Sequence, residues 1–455
     1  MDEIEKGWEF MDTAEIRKSI FRLAWPAILE MTLHTLVWTV DTAMVGRLNP
    51  ASISAVTLGA QMMFITMAVF GSVGIGATAM VARNVGAEDY GRAEKVGGQA
   101  LGVGMIISTL LALTGMIFAK EIFQCVVDDP ELIVLGSTYL RYVLIGGFVL
   151  IPLGVSNGIL RGAGNTVVPL KAAFFANGLN IIGDYVLIFG KWGFPQLGVK
   201  GAAIATGLAQ VLGAVISLYY LFSGKGGIKV HLKDLFRIDR EILSKLFRLS
   251  LPAAFEMAMN DGSRLLSSFW IAQLGKVSFA ANAVAIAAES VSFMPGYGFA
   301  IAATTLMGQN LGAKNVDVAR RSTMKAMNYA MIFMGTVALI FLLIPQHIMA
   351  LFTTDRETLL LAAQCIRIGA LEQIPIAIAM VISGALKGAG DTKGPFHISL
   401  ATNLGVRLPL IFLIVFVWKL NVVYIWIATA LQFILEAVLM LLRYRKEKWK
   451  TLEIH

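Results

Sequence analysis

Long apolar stretches alternate with short polar ones from one end of the chain to the other. Twelve of them are long enough to cross a bilayer: 18–46, 51–81, 92–119, 133–160, 167–190, 199–223, 241–273, 277–310, 318–345, 359–386, 394–418 and 421–443. A helix needs about 20 apolar residues to span roughly 30 Å of hydrocarbon. A barrel strand would instead alternate over about ten residues, and these runs, rich in glycine and alanine, do not. The pattern predicts an all-α integral membrane protein with twelve transmembrane helices. The start, Met1-Asp2-Glu3-Ile4-Glu5-Lys6, is acidic and polar with no small-residue cleavage site before the first long run, so no cleavable signal is expected.

The same text occurs twice. Phe21-Arg22-Leu23-Ala24-Trp25-Pro26 returns 226 residues later as Phe247-Arg248-Leu249-Ser250-Leu251-Pro252. Asn84-Val85-Gly86-Ala87 returns as Asn310-Leu311-Gly312-Ala313, and Leu160-Arg161-Gly162-Ala163-Gly164 as Leu386-Lys387-Gly388-Ala389-Gly390, at the same offset. A register kept over that distance marks a duplicated unit. Near residue 200 the offset becomes 223, Ile204-Ala205-Thr206 matching Ile427-Ala428-Thr429, so the second copy lacks three residues in the preceding loop. Six spans per copy is an even number, so both copies enter from the same side. Two six-helix bundles are then related by a pseudo-two-fold axis along the membrane normal. The expected organisation is an N-terminal lobe 1–223, a charged linker 224–240, and a C-terminal lobe 241–455 with a basic tail.

Composition agrees: 57% of residues are hydrophobic and 15% charged, outside the range of soluble domains. The net charge of +8 has a location. Lys225, Lys229, Lys233, Arg237, Arg240, Lys245 and Arg248 lie in or beside the linker, and Arg443, Arg445, Lys446, Lys448 and Lys450 form the tail. Arg83, Arg92 and Lys95 follow the second span; Lys314, Arg320, Arg321 and Lys325 follow the eighth. The opposite connections carry isolated cations, Arg47, Lys120, Lys276 and Lys419, and the acidic cluster Asp128-Asp129-Glu131. The positive-inside rule then puts both termini in the cytoplasm of a multi-pass protein of the cell membrane, and accounts for the basicity without a nucleic-acid partner. Cys125 and Cys365 have no metal-ligand spacing and read as packing residues. No Walker A, HExxH or CxxC sequence occurs, so no enzyme and no cofactor is expected, and a carrier driven by an ion gradient ranks above an ATP pump.

Ionisable groups inside spans are costly unless they face a cavity or a partner. Glu30, His34 and Asp41 share the first span, and at 100° per residue they lie within about 40° of one another. Asn177, Asn180 and Asp184 on the fifth span fall within about 60°. Tyr139 and Asn157 on the fourth add neutral polar groups, so these stripes are expected to line a polar cavity in the first lobe. The copies disagree here. Asp41 maps to Ser267, Asn180 to Val406 and Asp184 to Leu410, whereas Glu30 is kept as Glu256. A need shared by both lobes would be kept in both, so Asp41, Asn180 and Asp184 are assigned a role special to the first. Two nearby carboxylates repel, so the pair favours taking up a proton or holding a cation between its oxygens. An asparagine oxygen suits a hard cation such as Na⁺.

The second lobe carries Glu256, Asn260, Asp261 and Arg264 on its first span, with Glu289, Glu372, Arg407 and Glu436 elsewhere; Arg264 and Arg407 are placed to neutralise some of these acids. Glu256 and Glu372 are held in reserve as ion or substrate groups. Pro26 and Pro252 interrupt the first span of each copy, each removing one backbone hydrogen bond, and Pro26 is read as a hinge. Of the 21 methionines, Met31, Met62, Met63, Met257 and Met259 are candidates to line a pocket for varied apolar ligands.

Pro26…Asp41-Thr42-Ala43-Met44-Val45-Gly46, the Gly86-Ala87 and Gly312-Ala313 turns, and the paired Arg161-Gly162-Ala163-Gly164 and Lys387-Gly388-Ala389-Gly390 segments resemble the multidrug and toxic compound extrusion (MATE) transporters over residues 15–445. The one-sided Asp41/Asn180/Asp184 set is similar to the DinF-like branch, archaeal members especially. The resemblance implies a V-shaped pair of six-helix bundles. They would export organic cations and other amphipathic drugs in exchange for H⁺ or Na⁺; separately from the resemblance, a monomer is expected. It implies a first-lobe cation site at Asp41, Asp184, Asn180 and a sixth-span threonine. Here position 202 is Ala202, the nearest hydroxyl is Thr206 one turn on, and position 37, tyrosine in related sequences, is Val37. Another branch uses second-lobe carboxylates, which is where Glu256 and Glu372 belong. A lipid-linked oligosaccharide flippase of the same superfamily is the alternative, against which twelve spans and a Met-rich interior favour smaller cargo.

Overall fold

The computed structural model describes residues 13–45, 56–61, 63, 66 and 70–452. The N-terminal residues read above, and Gly46, Arg47 and Met62, lie outside them. Every element among the described residues is helical. The long ones are α1 Thr13–Val45, α2 Val73–Gly86, α3 Tyr90–Ile117, α4 Pro130–Val143, α5 Leu150–Gly162, α6 Val167–Phe189 and α7 Val199–Ser223. After a short α8, Leu232–Phe236, come α9 Arg240–Ala272, α10 Lys276–Gly312, α11 Val316–Leu343, α12 Arg356–Gly388, α13 Lys393–Val417 and α14 Val422–Arg445. Nine described helices are long and apolar enough to cross a membrane, and α4 with α5 makes a tenth as one broken span. The other two expected spans fall on the partly described second one and on α9, a 33-residue helix with Glu256, Asp261 and Arg264 in its interior.

The duplication is written in hydrogen bonds as well as in sequence. Thr78 Oγ donates to the Gly158 carbonyl at 2.8 Å, and Thr304 Oγ, 226 residues on, to the Gly384 carbonyl at 2.9 Å. Asp89 caps α3 by accepting from the Arg92 amide at 2.9 Å; Asn315 caps α11 by accepting from Val318 at 3.3 Å. The residue before each cap, Glu88 or Lys314, takes the left-handed conformation at φ 59°. These side-chain acceptors satisfy amides that a helix start leaves open.

Two expected spans are not plain helices. The run 133–160 bends by 51° between Val143 and Gly147. Gly146 lies against α7 so closely that an added Cβ would stand 2.5 Å from Gly207 Cα, and Ser108 Oγ donates to the Gly147 carbonyl at 2.6 Å. The side-chain bond replaces part of what the interrupted helix loses. The equivalent positions in the second copy are Glu372 and Gln373, inside the unbroken α12. In α13 the amides of Leu408 and Trp418 bond back five residues, to Asn403 and Leu413, giving two wide turns.

Contacts divide the chain into two units, one of Met1–Ile28, Gly86–Glu88 and Phe255–His455, the other of Leu29–Val85 and Asp89–Ala254. α1 thus changes unit two residues after Pro26, and α9 two residues after Pro252. In the first unit Ile16, Ile20 and Leu23 are buried in one core with Phe299, Met307 and Trp449. In the second, Phe123, Tyr139, Leu140, Val143 and Leu144 form one cluster, and Val45, Ile188 and Ala202 a smaller one.

Candidate functional site

In the second unit, α1 carries Asp41, α4 Tyr139, α6 Asn180 and Asp184, and α7 Thr206. One helical turn separates Asn180 from Asp184, so both project from the same face. Both are buried, Asn180 3% and Asp184 1% exposed. The carboxyls of Asp41 and Asp184 are within hydrogen-bonding reach of each other. Neither oxygen of Asp184 meets a donor among the described residues. Thr206 Oγ donates to the Ala202 carbonyl at 2.9 Å, and the Tyr139 hydroxyl lies close to Thr206 and to the two aspartates.

This arrangement is incomplete as oxygen and carbon alone. Two carboxylates facing each other have no donor between them, so together they favour sharing a proton or flanking a cation. The Asn180 amide fits both conditions. With one orientation its NH₂ donates to Thr206 Oγ at 3.4 Å and its carbonyl oxygen faces Asp41. Turned over, its NH₂ donates to both oxygens of Asp41, at 3.0 Å each. The first orientation offers a cation oxygens from Asp41, Asp184 and Asn180; the second holds Asp41 anionic without one. Hard oxygen donors of this kind suit Na⁺ as well as they suit a proton. Among the described residues no group of three or more His, Cys, Asp or Glu side chains is gathered as a multivalent metal would require.

The other first-lobe candidates have these surroundings. His34 is exposed and stands near the Glu30–Arg161 pair. Met31 is half-buried, its carbonyl accepting from Thr35 Oγ at 3.2 Å. Asn157 Oδ1 accepts from Ser217 Oγ at 2.9 Å, and Asn177 is half-buried with its Nδ2 unpartnered among the described residues.

One pair of charged contacts was not anticipated. Arg161 Nη2 donates to Glu30 Oε1 at 2.7 Å, and Lys387 Nζ to Glu256 Oε1 at 2.9 Å. These are the same positions in the two copies. The signal lay in the repeat: an acid at 30 and 256 and a base at 161 and 387 are both kept at the 226 offset.

Most second-lobe acids have a donor or a cation, while Glu372 Oε2 meets no donor among the described residues. Gln373 Nε2 donates to Glu289 Oε1 at 3.2 Å, the Glu289 and Glu372 carboxyls face each other, and the charges of Arg264 and Arg407 act on both acids. Gln432 donates to Glu436. Asp184, with no amide or cation of its own, differs from all of these.

Against known proteins, the sequence profile of the MatE family matches residues 26–186 and 252–413. A Thermotoga maritima protein named "Probable multidrug resistance protein NorM" is 29% identical over 450 residues, covering 96% of this chain and 94% of that one. A solved structure of a MATE in complex with MaL6 superposes with a TM-score of 0.89 at 25% identity, over 96% of this chain and 98% of that one. Another, the outward-facing conformation of a multidrug resistance MATE family transporter of the MOP superfamily, gives 0.88 at 24% identity, over 96% and 97%, and shares the fold.

Proposed function

The chain belongs to the MatE family, and on that premise we propose that it is a secondary active multidrug exporter. It would antiport organic cations and amphipathic drugs against H⁺ or Na⁺ by alternating access, with its cation site in the first lobe. The observation that carries this reading is Asp184: buried, without a donor, facing Asp41, and lacking a counterpart in the second copy. The name of the Thermotoga maritima relative supports the drug cargo. The Asp41, Asn180 and Asp184 set supports the DinF-like branch, and the archaeal type rests on that set alone. In this reading Asp41, Asn180 and Asp184 take the coupling ion and Tyr139 and Thr206 shape its oxygen cage. Met31, His34, Asn157 and Asn177 line the drug cavity, and Glu256 and Glu372 are secondary groups. The test is purified protein in proteoliposomes with a proton gradient and a sodium gradient imposed separately. Dye exchange driven by one of them is expected; exchange under neither sinks the proposal.

Pro26 is the proposed hinge. Binding at Asp41 biases the two conformations by no more than the ion's differential affinity, about 1–3 kcal/mol by the usual size of coupling energies. Pro26→Ala is expected to lose coupled exchange while still binding the ion at Asp41. Normal exchange by that variant would mark the bend as static packing.

The protein is proposed to work as a monomer with both termini cytoplasmic. In a Cys125→Ser background, cysteine at Lys233 or Lys446 should label from the cytoplasmic side and cysteine at Asp128 from outside. The reverse pattern overturns the orientation.

A further inference from the structure

We infer that the connection between the two copies is a docking surface for anionic lipid headgroups. It joins the end of α7 to the start of α9, and the ends of spanning helices lie at the boundary between hydrocarbon and water. The connection does not hang free. The Gly226 amide donates to the Tyr220 carbonyl at 3.1 Å and the Val230 amide to the Leu221 carbonyl at 3.1 Å. The Lys229 amide donates to Glu94 Oε1 at 3.1 Å. Gln99 Nε2 donates to the Asp234 carbonyl at 3.4 Å, and its Oε1 accepts from the Asp239 amide at 3.2 Å. α8 presses onto α3 at Gly98, where an added Cβ would stand 2.6 Å from that of Asp234.

This clamping sorts the side chains. Ile228, Val230 and Asp234 are buried against the unit, while Phe236 is 82% and Ile238 77% exposed, with Leu232 beside them. Large apolar side chains held outward on a fixed backbone are unfavourable in water and favourable in the acyl boundary. Around them Lys225, Lys229, Lys233, Arg237 and Arg240 are all exposed. Asp234 and Asp239 offset part of this charge and leave the cations in excess. Asp239 caps the start of α9, its Oδ1 accepting from the Glu241 amide, and Glu241 is taken by Arg92 at 2.8 Å and Lys245 at 2.5 Å. At the same end of α7 the ammonium groups of Lys171 and Lys225 lie over the rings of Tyr220 and Tyr219. Apolar anchors ringed by cations, with aromatic residues at the same level, are what a negatively charged lipid surface binds. The charge selects against a neutral surface, and the anchors against a soluble anion.

The inference rests on the multi-pass reading alone, since vesicles with the same lipid in both leaflets remove any dependence on orientation, cargo or coupling ion. The test uses the full chain with Cys125→Ser, leaving buried Cys365 in place, and a fluorophore on Ile238→Cys. It is reconstituted in phosphatidylcholine vesicles containing spin-labelled quencher lipid, either phosphatidylglycerol or phosphatidylcholine. The phosphatidylglycerol quencher should associate at least about fivefold more strongly, the preference expected for one engaged cation. That preference should vanish with Lys229→Gln, Lys233→Gln and Arg237→Gln combined, and weaken with salt. Equal quenching by both lipids would leave an apolar contact without recognition, and no quenching by either would put the face in water for a soluble partner. Each of those results overturns the inference. A protein that shows the lipid preference but exports nothing leaves this inference standing and removes the exporter reading.

Discussion

Asp41→Asn is expected to abolish ion-driven drug exchange while the protein still inserts and folds. The substitution keeps the shape of the side chain and removes the charge that makes the Asp41–Asp184 pair need a proton or a cation. Asp184→Asn does the same from the other side. Exchange should drop by about a hundredfold, near the upper end of the usual range of coupling energies, because ion binding would no longer distinguish the two conformations. The control is built into the duplication. Ser267 occupies the equivalent of Asp41, is buried, and donates back to the Ser263 carbonyl at 2.7 Å within its own helix. Ser267→Ala removes only that local bond and should change exchange by no more than about twofold. Proteoliposome exchange under each gradient, with size-exclusion profiles to confirm folding, reads all three variants. Equal losses at Asp41 and Ser267 would remove the argument from divergence between the copies.

What the chain declared in advance and what it hid follow from range. Spans are sums over some twenty residues, and a duplicated register extends over hundreds, so both survive local exceptions. For the same reason the Asp41, Asn180 and Asp184 asymmetry was legible: it needs only an alignment of the chain with itself. A 51° bend is a local event. Gly146 and Gly147 score as apolar and sit well inside a hydrophobic run, and only the approach of Gly207 makes the first of them necessary. The place where α1 and α9 change unit carries no mark beyond Pro26 and Pro252, because hydropathy says nothing about which neighbours a helix packs against. The meeting of Tyr139 with Thr206 at the Asp41 group depends on the bend that places α4, and so was also out of reach.

The largest stability effect is expected at the ion pair that both copies keep. Glu30 is 1% exposed and lies 2.7 Å from Arg161. Taking a carboxylate from water into such a place is tolerable only with its partner. Arg161→Ala leaves the charge behind and should cost about 3–5 kcal/mol. For a lobe of this size, that is a fall in Tm of about 6–20 °C. Lys387→Ala leaves Glu256 in the same position and should behave alike. The sequence places each acid four residues beyond a proline, Glu30 after Pro26 and Glu256 after Pro252. At one turn, the pair ties the helix just past its break to the end of α5 or of α12. The same clamp occurs in both copies, whereas Asp41 and Asp184 are found in one only. The two roles separate experimentally. The double variant Glu30→Gln with Arg161→Gln replaces the buried charges with amides that still hydrogen-bond, so it should recover most of the lost stability. Exchange should recover with it if, as proposed, the coupling ion binds at Asp41 and Asp184. A double variant no more stable than Arg161→Ala would show that the arginine acts through packing rather than by neutralising Glu30. A stable double variant that cannot couple would move Glu30 from the frame of the lobe into its ion pathway.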